Sequence, residues 1–205
     1  SKLARFPHPL HHTINAIIEK LQPHERSFRH ATRLLPREYM LRLYNQLVYP
    51  HLIYAITLWG TREKNKEYIK PLLIMQKKIV RIVMNCPPNT HTQPLMKRYN
   101  LLYIYNLYTL RVCITIHPFI HHTKNTNMPE HPHHYTYIHN DHDHPTRRSR
   151  DHRISTQNTT PLPTQYIQTW NTLPQNIRDT THITTFKHML KQHLYKLQAA
   201  EQRVI

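Results

Sequence analysis

A single glycine, Gly60, occurs among the 205 residues of this chain, whereas average usage of about 7% would give roughly 14. Loops that cradle phosphate groups need glycine, because their backbone adopts conformations or approaches a ligand in ways that a Cβ atom forbids. The sequence therefore excludes a glycine-rich phosphate loop, a dinucleotide-binding fingerprint and the strained turn that carries a nucleophilic serine.

The steadiest helical periodicity lies in residues 35–85. Apolar residues recur there at spacings of three and four, which places them on one face of successive helices. The predicted apolar face comprises Met40, Leu43, Leu47, Ile53, Ile56, Ile69, Leu72, Leu73, Ile79, Val80 and Val83. The fold class predicted for the chain is therefore all-α.

The boundaries of these helices follow from a few residues. Pro50 is expected to break or kink the first helix near residues 48–49, because proline cannot donate a backbone hydrogen bond and restricts the residue before it. Gly60 favours a helix end at Trp59, since a left-handed residue commonly follows the last helical turn. Thr61 can then cap the third helix.

An amphipathic helix is also predicted at 9–33, with an interruption at Pro23. Phe28, Ala31 and Leu34 are expected to resume its apolar face. The basic residues of this segment are interpreted as solvent-exposed positions of an ordinary amphipathic helix, with direct nucleic-acid contact as the alternative. They are Arg26, Arg29 and Arg33.

Helical patterns continue toward the C-terminus. A short helix is predicted around 93–99, and residues 102–120 show a weaker amphipathic pattern. A short helix anchored by Trp170 is predicted next, and the last helix is expected to start at Thr184 or Thr185 with Leu197 on its apolar side. It is expected to dock on residues 91–120, because it could not be stable alone.

The chain is strongly basic, with a formal net charge of +17 and a pI near 10.1. Residues 61–120 hold ten basic and two acidic side chains, a balance of +8, and so form the electrostatic centre of the sequence. Such a charge indicates a polyanionic partner. No stretch of 18 apolar residues occurs, and no membrane span is predicted.

The candidate binding residues are basic side chains on the third predicted helix and the short helix after it. They are Lys70, Lys77, Lys78, Arg81, Lys97 and Arg98. We predict that they contact nucleic-acid phosphates, which needs no base-specific contact. The alternative is a solvated helix face, the usual role of a charge run. Tyrosines at 99, 103, 105 and 108 either stack on bases or form the edges of the core.

Residues 117–152 contain ten histidines and almost no apolar side chains. Too little hydrophobic surface is available to offset the entropy of ordering, which favours a flexible connector. Zinc or nickel binding by these histidines with Asp141 and Asp143 is an alternative, although their spacing matches no closed tetrahedral site. An HNH-type nuclease motif at His139-Asn140 is a third interpretation. Cys86 and Cys113 are too few for a disulfide framework.

Three stretches share an order of motifs with a known family. They read LPREYMLRLYNQLVYPHLIYAITLWG at 35–60 followed by LLIMQKKIVRIV, then HTQPLMKRYNLLYIYNLYTLRV at 91–112, then WNTLPQNIRDTTHITTFKHMLKQHLYK at 170–196. This order resembles the region after the palm domain in reverse transcriptases of jockey-like non-LTR retrotransposons. The resemblance covers most of residues 8–198 and is weakest over 121–160.

The resemblance implies the thumb and post-thumb part of an RNA-directed DNA polymerase, which would hold the template–primer beside an upstream palm domain. The family's aromatic–Ala–Asp–Asp motif, which uses Mg²⁺, has no counterpart here, since no Asp-Asp pair occurs. The chain alone is therefore expected to need no cofactor and to be catalytically inactive. Its start, SKLARFPHPL, suggests an internal fragment or a processed chain, and the family is intracellular, nuclear or cytoplasmic.

The predicted organisation is a helical thumb-like domain at 1–120, a His-rich linker at 121–160 and a C-terminal helical module at 161–205. Nucleic acid and the upstream palm domain are the expected partners, with no membrane. Two other functional interpretations stay open at this point. One is a degenerate transposon remnant that binds nothing specifically, and the other is a His-rich metal-binding, nuclease-like module.

Overall fold

The structure, a computed structural model, describes residues 9–54, 56–59, 66–121 and 163–201. Within these ranges the chain forms helices and no strand, which confirms the all-α prediction. The helices are α1 Pro9–Ala31, α2 Arg37–Leu43, α3 Tyr49–Ile53, α4 Ile56–Trp59, α5 Lys66–Val83, α6 Thr92–Arg98, α7 Ile104–Ile120, α8 Thr164–Asn171, α9 Gln175–Arg178 and α10 Ile183–Glu201. A π-helical turn, Tyr44–Val48, joins α2 to α3.

The described residues fall into two compact units. Unit 1 contains the residues up to Tyr108 together with those from Tyr195 onward. Unit 2 contains the residues from Thr109 to Leu194. Two helices, α7 and α10, contribute to both units, and unit 1 is built from two segments that are distant in sequence.

The core of unit 1 is formed by α1 packing along α5. Buried side chains repeat at helical spacing on both partners, as the sequence pattern predicts. They are Leu10, Ile14, Ile17, Leu21 and Phe28 on α1, and Ile69, Leu72, Met75, Ile79, Val80 and Val83 on α5. Burial of these apolar surfaces is the main stabilising contribution to this unit.

The predicted interruption at Pro23 is wrong, because α1 runs without a break from Pro9 to Ala31. Pro23 leaves one backbone carbonyl of the preceding turn without its helical donor, and the buried face formed by Leu21 and Phe28 outweighs that loss. The apolar face also ends earlier than predicted. Leu34 lies in the turn after the helix and is 82% exposed.

The predicted kink near Pro50 takes the form of the π-helical turn, after which the chain continues as α3 with Pro50 in its first turn. The wider turn moves the buried face by one residue. Met40 is buried as predicted, but Tyr44 and Val48 occupy the core, whereas Leu47 is 36% exposed. A residue inserted into a helical turn shifts the phase of everything after it, which the sequence periodicity alone does not reveal.

Two helices end at asparagines in the left-handed conformation, Asn85 after α5 and Asn100 after α6, each with φ of 52°. At the first end, the N–H of Cys86 donates to the carbonyl of Arg81 and that of Asn85 to Ile82, which is the Schellman pattern. The second end repeats this pattern through Leu101 and Asn100. Asparagine thus takes the role that glycine usually has. Gly60 and Thr61, proposed as helix boundaries, lie outside the described residues.

The last helix, α10, docks on the segment that contains α6 and the start of α7, as predicted. The Tyr195 hydroxyl donates to the carbonyl of Asn100 at 2.7 Å, and the Gln93 amide donates to the carbonyl of Ala199 at 3.0 Å. The helix begins at Ile183, one residue before the predicted start. Leu197, placed on its apolar side by the sequence pattern, is 36% exposed.

Unit 2 is centred on Trp170, which is fully buried and stacks on Phe186 with 5.6 Å between ring centroids. Arg178 is buried beside them and donates from Nη1 to the carbonyls of Asn171 and Leu173. Trp170 is therefore the anchor that the sequence indicates. The buried arginine has no counterpart among the predictions.

The helical pattern predicted over 102–120 continues to its end, because α7 extends to Ile120, so the first residues of the His-rich stretch 117–152 belong to a helix. His117 is buried and its Nε2 lies 2.7 Å from the carbonyl oxygen of Thr180. His121 lies 2.6 Å from the carbonyl oxygen of Arg178 in the same way. His117 thus belongs to the core of unit 2, and His121 lies half-buried at its edge. The rest of the predicted connector, 122–160, lies outside the described residues.

Candidate nucleic-acid interface

The basic residues of α5 lie on the side of the helix away from its buried face. At about 100° per residue, Lys70, Lys77 and Arg81 fall close together around the helix and Lys78 lies beside them. Lys70 and Lys78 are exposed, whereas Lys77 and Arg81 are half-buried. The sequence pattern therefore separates the basic side of α5 from its core side, although neighbouring residues hold these side chains in different directions.

Lys77 points toward the start of α7. Its Nζ lies 5.3 Å from the centre of the Tyr103 ring, a cation–π distance. Burial lowers the pKa of the Lys77 ammonium, and the nearby guanidinium of Arg81 lowers it further. Lys77 is thus partly engaged with the core edge through Tyr103.

Lys78 points the other way, toward α1. Its Nζ lies 2.8 Å from Oε2 of Glu25, while the guanidinium of Arg29 donates to Oε1 of the same carboxylate at 3.0 Å. Burial by itself raises the pKa of Glu25, but hydrogen bonds and charge from Lys78 and Arg29 outweigh it, so that the pKa lies below its ordinary value. One carboxylate therefore fixes two cations at the junction of α1 and α5.

Arg81 is held by the loop that follows α5. Its Nε donates to the carbonyl of Thr90 at 2.7 Å. This bond orients the guanidinium and leaves the two Nη groups at its other edge for a further acceptor. A planar guanidinium held in this way suits recognition of a phosphate or carboxylate by paired hydrogen bonds.

A cleft of about 300 Å³ lies where the C-terminal ends of α1 and α5 come together. We call it the basic cleft. Four of its lining side chains are cationic, and the remainder come from the ends of the two helices and the loop after α5. The lining residues are Arg29, Thr32, Arg33, Lys78, Arg81, Ile82, Asn85, Cys86 and Pro88.

The basic cleft joins two sets of residues that the sequence keeps apart. Lys78 and Arg81 were predicted to bind phosphate, whereas Arg29 and Arg33 were interpreted as solvent-exposed positions of α1. No signal in the sequence pairs them, because a periodic pattern does not say which helix end lies beside which. Cations near helix C-termini also complement the helix dipole, which gives these residues a structural role as well.

The remaining predicted residues lie apart from the basic cleft. Lys70 is exposed on α5, and Lys97 and Arg98 are exposed on α6. The Arg98 guanidinium lies 5.7 Å from the Tyr99 ring centre, and Arg37 donates to the Tyr99 hydroxyl at 2.8 Å. The six predicted residues therefore do not form one site.

The tyrosines considered for base stacking mostly belong to the core. Tyr103 and Tyr108 are buried, and Tyr105 is half-buried. The Tyr103 hydroxyl forms a hydrogen bond of 3.0 Å with the hydroxyl of Thr92. The interpretation as core-edge residues is therefore favoured for these three, while Tyr99 is partly exposed between two arginines.

Within the part of the chain that the structure describes, no group of three or more histidine, cysteine or acidic side chains could hold a metal ion. Asp141, Asp143 and His139-Asn140, which carry the metal and nuclease interpretations, lie outside it. Burial raises the pKa of the Cys113 thiol, which makes that cysteine a core residue and not a reactive one. None of the described helices is long and apolar enough to cross a membrane.

Comparisons with known proteins found no relative of this chain: no protein-family model, no curated protein and no solved structure matches it.

Proposed function

We propose that this chain binds the phosphate backbone of nucleic acid, as the thumb and post-thumb part of a jockey-like non-LTR retrotransposon reverse transcriptase. The motif order at 35–60, 91–112 and 170–196 supports the family, and the charge of the chain supports the ligand. Template–primer would be held by contacts that neutralise phosphates and release counterions.

One observation carries this proposal. Lys78 and Arg81, which the sequence singles out on α5, line the same cleft as Arg29 and Arg33 of the α1 end. Only one carboxylate, that of Glu25, is bonded to these four cations in the described part of the chain. An excess of positive charge on one surface favours a polyanion and does so without reading sequence.

The catalytic step would belong to the upstream palm domain. Nucleotide addition needs carboxylates that hold Mg²⁺, and this sequence contains no Asp-Asp pair. The residues of this chain would instead position the duplex, with Lys77 stiffened against Tyr103 and Arg81 oriented by Thr90. Lys70, Lys97 and Arg98 would add phosphate contacts along the same strand.

A salt titration tests the proposal. Binding of the whole chain to a fluorescent RNA–DNA hybrid is measured by anisotropy from low to high salt, with two unrelated sequences. We expect similar affinities for both and a logarithmic slope of about −0.7 to −0.9 for each phosphate neutralised. If the chain binds neither hybrid at low salt, the alternative interpretation as a degenerate transposon remnant is favoured instead.

A further inference from the structure

The basic cleft combines charge with a limited size. It offers four cations within about 300 Å³, the low end of the volume of a small-molecule site and room for one nucleotide. Two of the cations, Arg29 and Lys78, share the Glu25 carboxylate. The other two, Arg33 and Arg81, have no ion pair with any described residue, so the cleft keeps a net positive charge.

We propose that the basic cleft binds a phosphate monoester, the terminal 5′-phosphate of a nucleic-acid strand. This deepens the proposed function, on which it rests, by assigning one end of the bound strand to one site. A terminal phosphate carries nearly two negative charges at neutral pH, whereas a backbone phosphodiester carries one. The dianion therefore matches the charge excess of the cleft better than an internal phosphate does.

The contacts available in the cleft divide into two kinds. Arg81 presents the Nη edge of its guanidinium, because its Nε is held by the carbonyl of Thr90. Arg33 follows the last turn of α1 and lines the same cleft, so it offers a second guanidinium to the phosphate. Arg29 and Lys78 are fixed by Glu25 and supply the surrounding positive field.

The position at two helix C-termini would oppose an anion if the last carbonyls were unbonded. Several of them are bonded: the carbonyls of Arg81 and Ile82 accept from the N–H groups of Cys86 and Asn85. At the end of α1, the carbonyl of Ala31 accepts from the N–H of Leu34 and that of Leu35. The capped ends leave the four cations as the dominant charges of the cleft.

The test compares two oligonucleotides of roughly 12 nucleotides with the same sequence, one with a 5′-phosphate and one with a 5′-hydroxyl. Binding to the whole chain is measured at about 0.15 M salt, where diffuse surface charge is screened. We expect the phosphorylated strand to bind about tenfold more tightly, as charge-assisted paired bonds to guanidinium groups imply.

Variants locate the effect. Arg33→Gln should abolish the preference for the 5′-phosphate, measured within this variant as the ratio of its dissociation constants for the two strands. Arg42→Gln removes an exposed arginine of α2 that does not line the cleft, and it should keep the preference. A thermal unfolding curve for each variant confirms that it is folded. A preference that survives Arg33→Gln would overturn the assignment.

Adenosine monophosphate serves as the competitor that separates strand ends from free nucleotides. If this nucleotide displaces the phosphorylated strand but not the 5′-hydroxyl strand, the cleft is a monoester site that accepts both strand ends and free nucleotides. If it displaces neither, the cleft is specific for strand ends. Equal binding of the two oligonucleotides overturns the inference and leaves the proposed function standing. Binding of neither oligonucleotide overturns both.

Discussion

Gln76 and Gln198 hold the backbone between α6 and α7 from two helices that are far apart in sequence. Gln76 donates to the carbonyl of Leu102 at 2.9 Å and accepts from the N–H of Ile104 at 3.1 Å. Gln198 donates to the carbonyl of Leu101 at 3.1 Å and accepts from the N–H of Tyr103 at 2.9 Å. The two buried amides thus satisfy alternate residues of one non-helical segment, as a pair of neighbouring strands would.

Replacement of either glutamine should destabilise unit 1 strongly. Gln198→Leu introduces an apolar side chain of similar size and leaves a buried N–H and a buried carbonyl without partners. The cost is about 2–4 kcal/mol in unfolding free energy. Gln76→Leu should have an effect of the same order. Urea unfolding followed by circular dichroism measures both. Gln168→Leu, at an exposed position of α8, is the control, and a loss equal to that of Gln198→Leu would contradict the role of these amides.

Removal of the basic side of α5 should weaken nucleic-acid binding. The triple variant Lys77→Ala, Lys78→Ala, Arg81→Ala should lose affinity about equally for all sequences. The slope of the logarithm of the binding constant against the logarithm of salt concentration should become shallower by roughly 2 to 3 units, if all three contact phosphate. Its fold should persist, because the buried residues of α5 are unchanged.

The matched control for that variant carries three alanines at Arg147, Arg148 and Arg150, in the His-rich segment. It should retain most of the affinity and the steeper salt dependence. Equal losses from the two triple variants would assign binding to diffuse positive charge. Unchanged binding by the α5 variant would exclude this helix from the mechanism.

Acid should destabilise unit 2 through His117. Burial lowers the pKa of this imidazole, the hydrogen bond to Thr180 opposes that effect, and the charge of Lys187 lowers the pKa further. The unfolded chain therefore takes up the proton first, so this contribution is complete above about pH 6.5 and is lost as pH falls below it. The ring of His121 lies 4.6 Å from that of His117 and carries no negative charge that could offset a proton.

The measurement is urea unfolding of the whole chain, monitored by tryptophan fluorescence at about pH 7.5 and about pH 5.5. The unfolding free energy should be lower at the acidic value, and His117→Gln should reduce the difference while keeping a donor for the Thr180 carbonyl. His182→Gln, at an exposed position, is the control variant. An unchanged pH dependence in His117→Gln would rule out this imidazole as its source.

Glu25→Gln should loosen the junction of α1 and α5 by about 1 kcal/mol, because the carboxylate is mostly buried but its two partners are half exposed. The pKa of Glu25 is lowered, so its stabilising contribution is present above about pH 4.5 and is lost as pH falls. The variant should therefore show a smaller loss of stability between about pH 5 and pH 3 than the parent chain. Glu19→Gln, exposed on α1, should behave like the parent.

The chain alone should not extend a primer. With Mg²⁺, a primed RNA template and nucleotides, gel analysis should show no product above a buffer control, because no Asp-Asp pair is present to hold two metal ions. Product that forms only when the chain is present would contradict the proposal that catalysis belongs to the upstream palm domain. A known polymerase added to the same mixture checks the substrates.

The sequence predicted the helices and their apolar faces well where periodicity was unbroken, as along α5, and it identified Trp170 as an anchor. It failed at Pro23 and around Tyr44, because burial on a long helix can outweigh a missing backbone bond and a π-turn shifts the phase. It also missed the buried Arg178 and Gln198. Such polar residues are recognisable only once the carbonyls that they bind are placed by tertiary structure.

For the basic cleft, the sequence singled out two of the four cationic residues. Lys78 and Arg81 stood out as a charge cluster on one helix, whereas Arg29 and Arg33 resembled ordinary solvent-exposed side chains. Their convergence depends on which ends of α1 and α5 lie together, a property of the packing and not of either helix. Lys97 and Arg98, predicted as part of the same interface, lie on a separate helix.

The docking of α10 on unit 1 has a consequence for how the chain folds during synthesis. A ribosome releases residues in order, and domains generally fold as their last residue emerges. Unit 1 needs Tyr195 and Gln198, so its closure waits until Gln198 has left the exit tunnel, after every residue of unit 2. Until then the carbonyl of Leu101 and the N–H of Tyr103 have only water as their partner, and a nascent chain stalled before residue 195 should remain open to proteases.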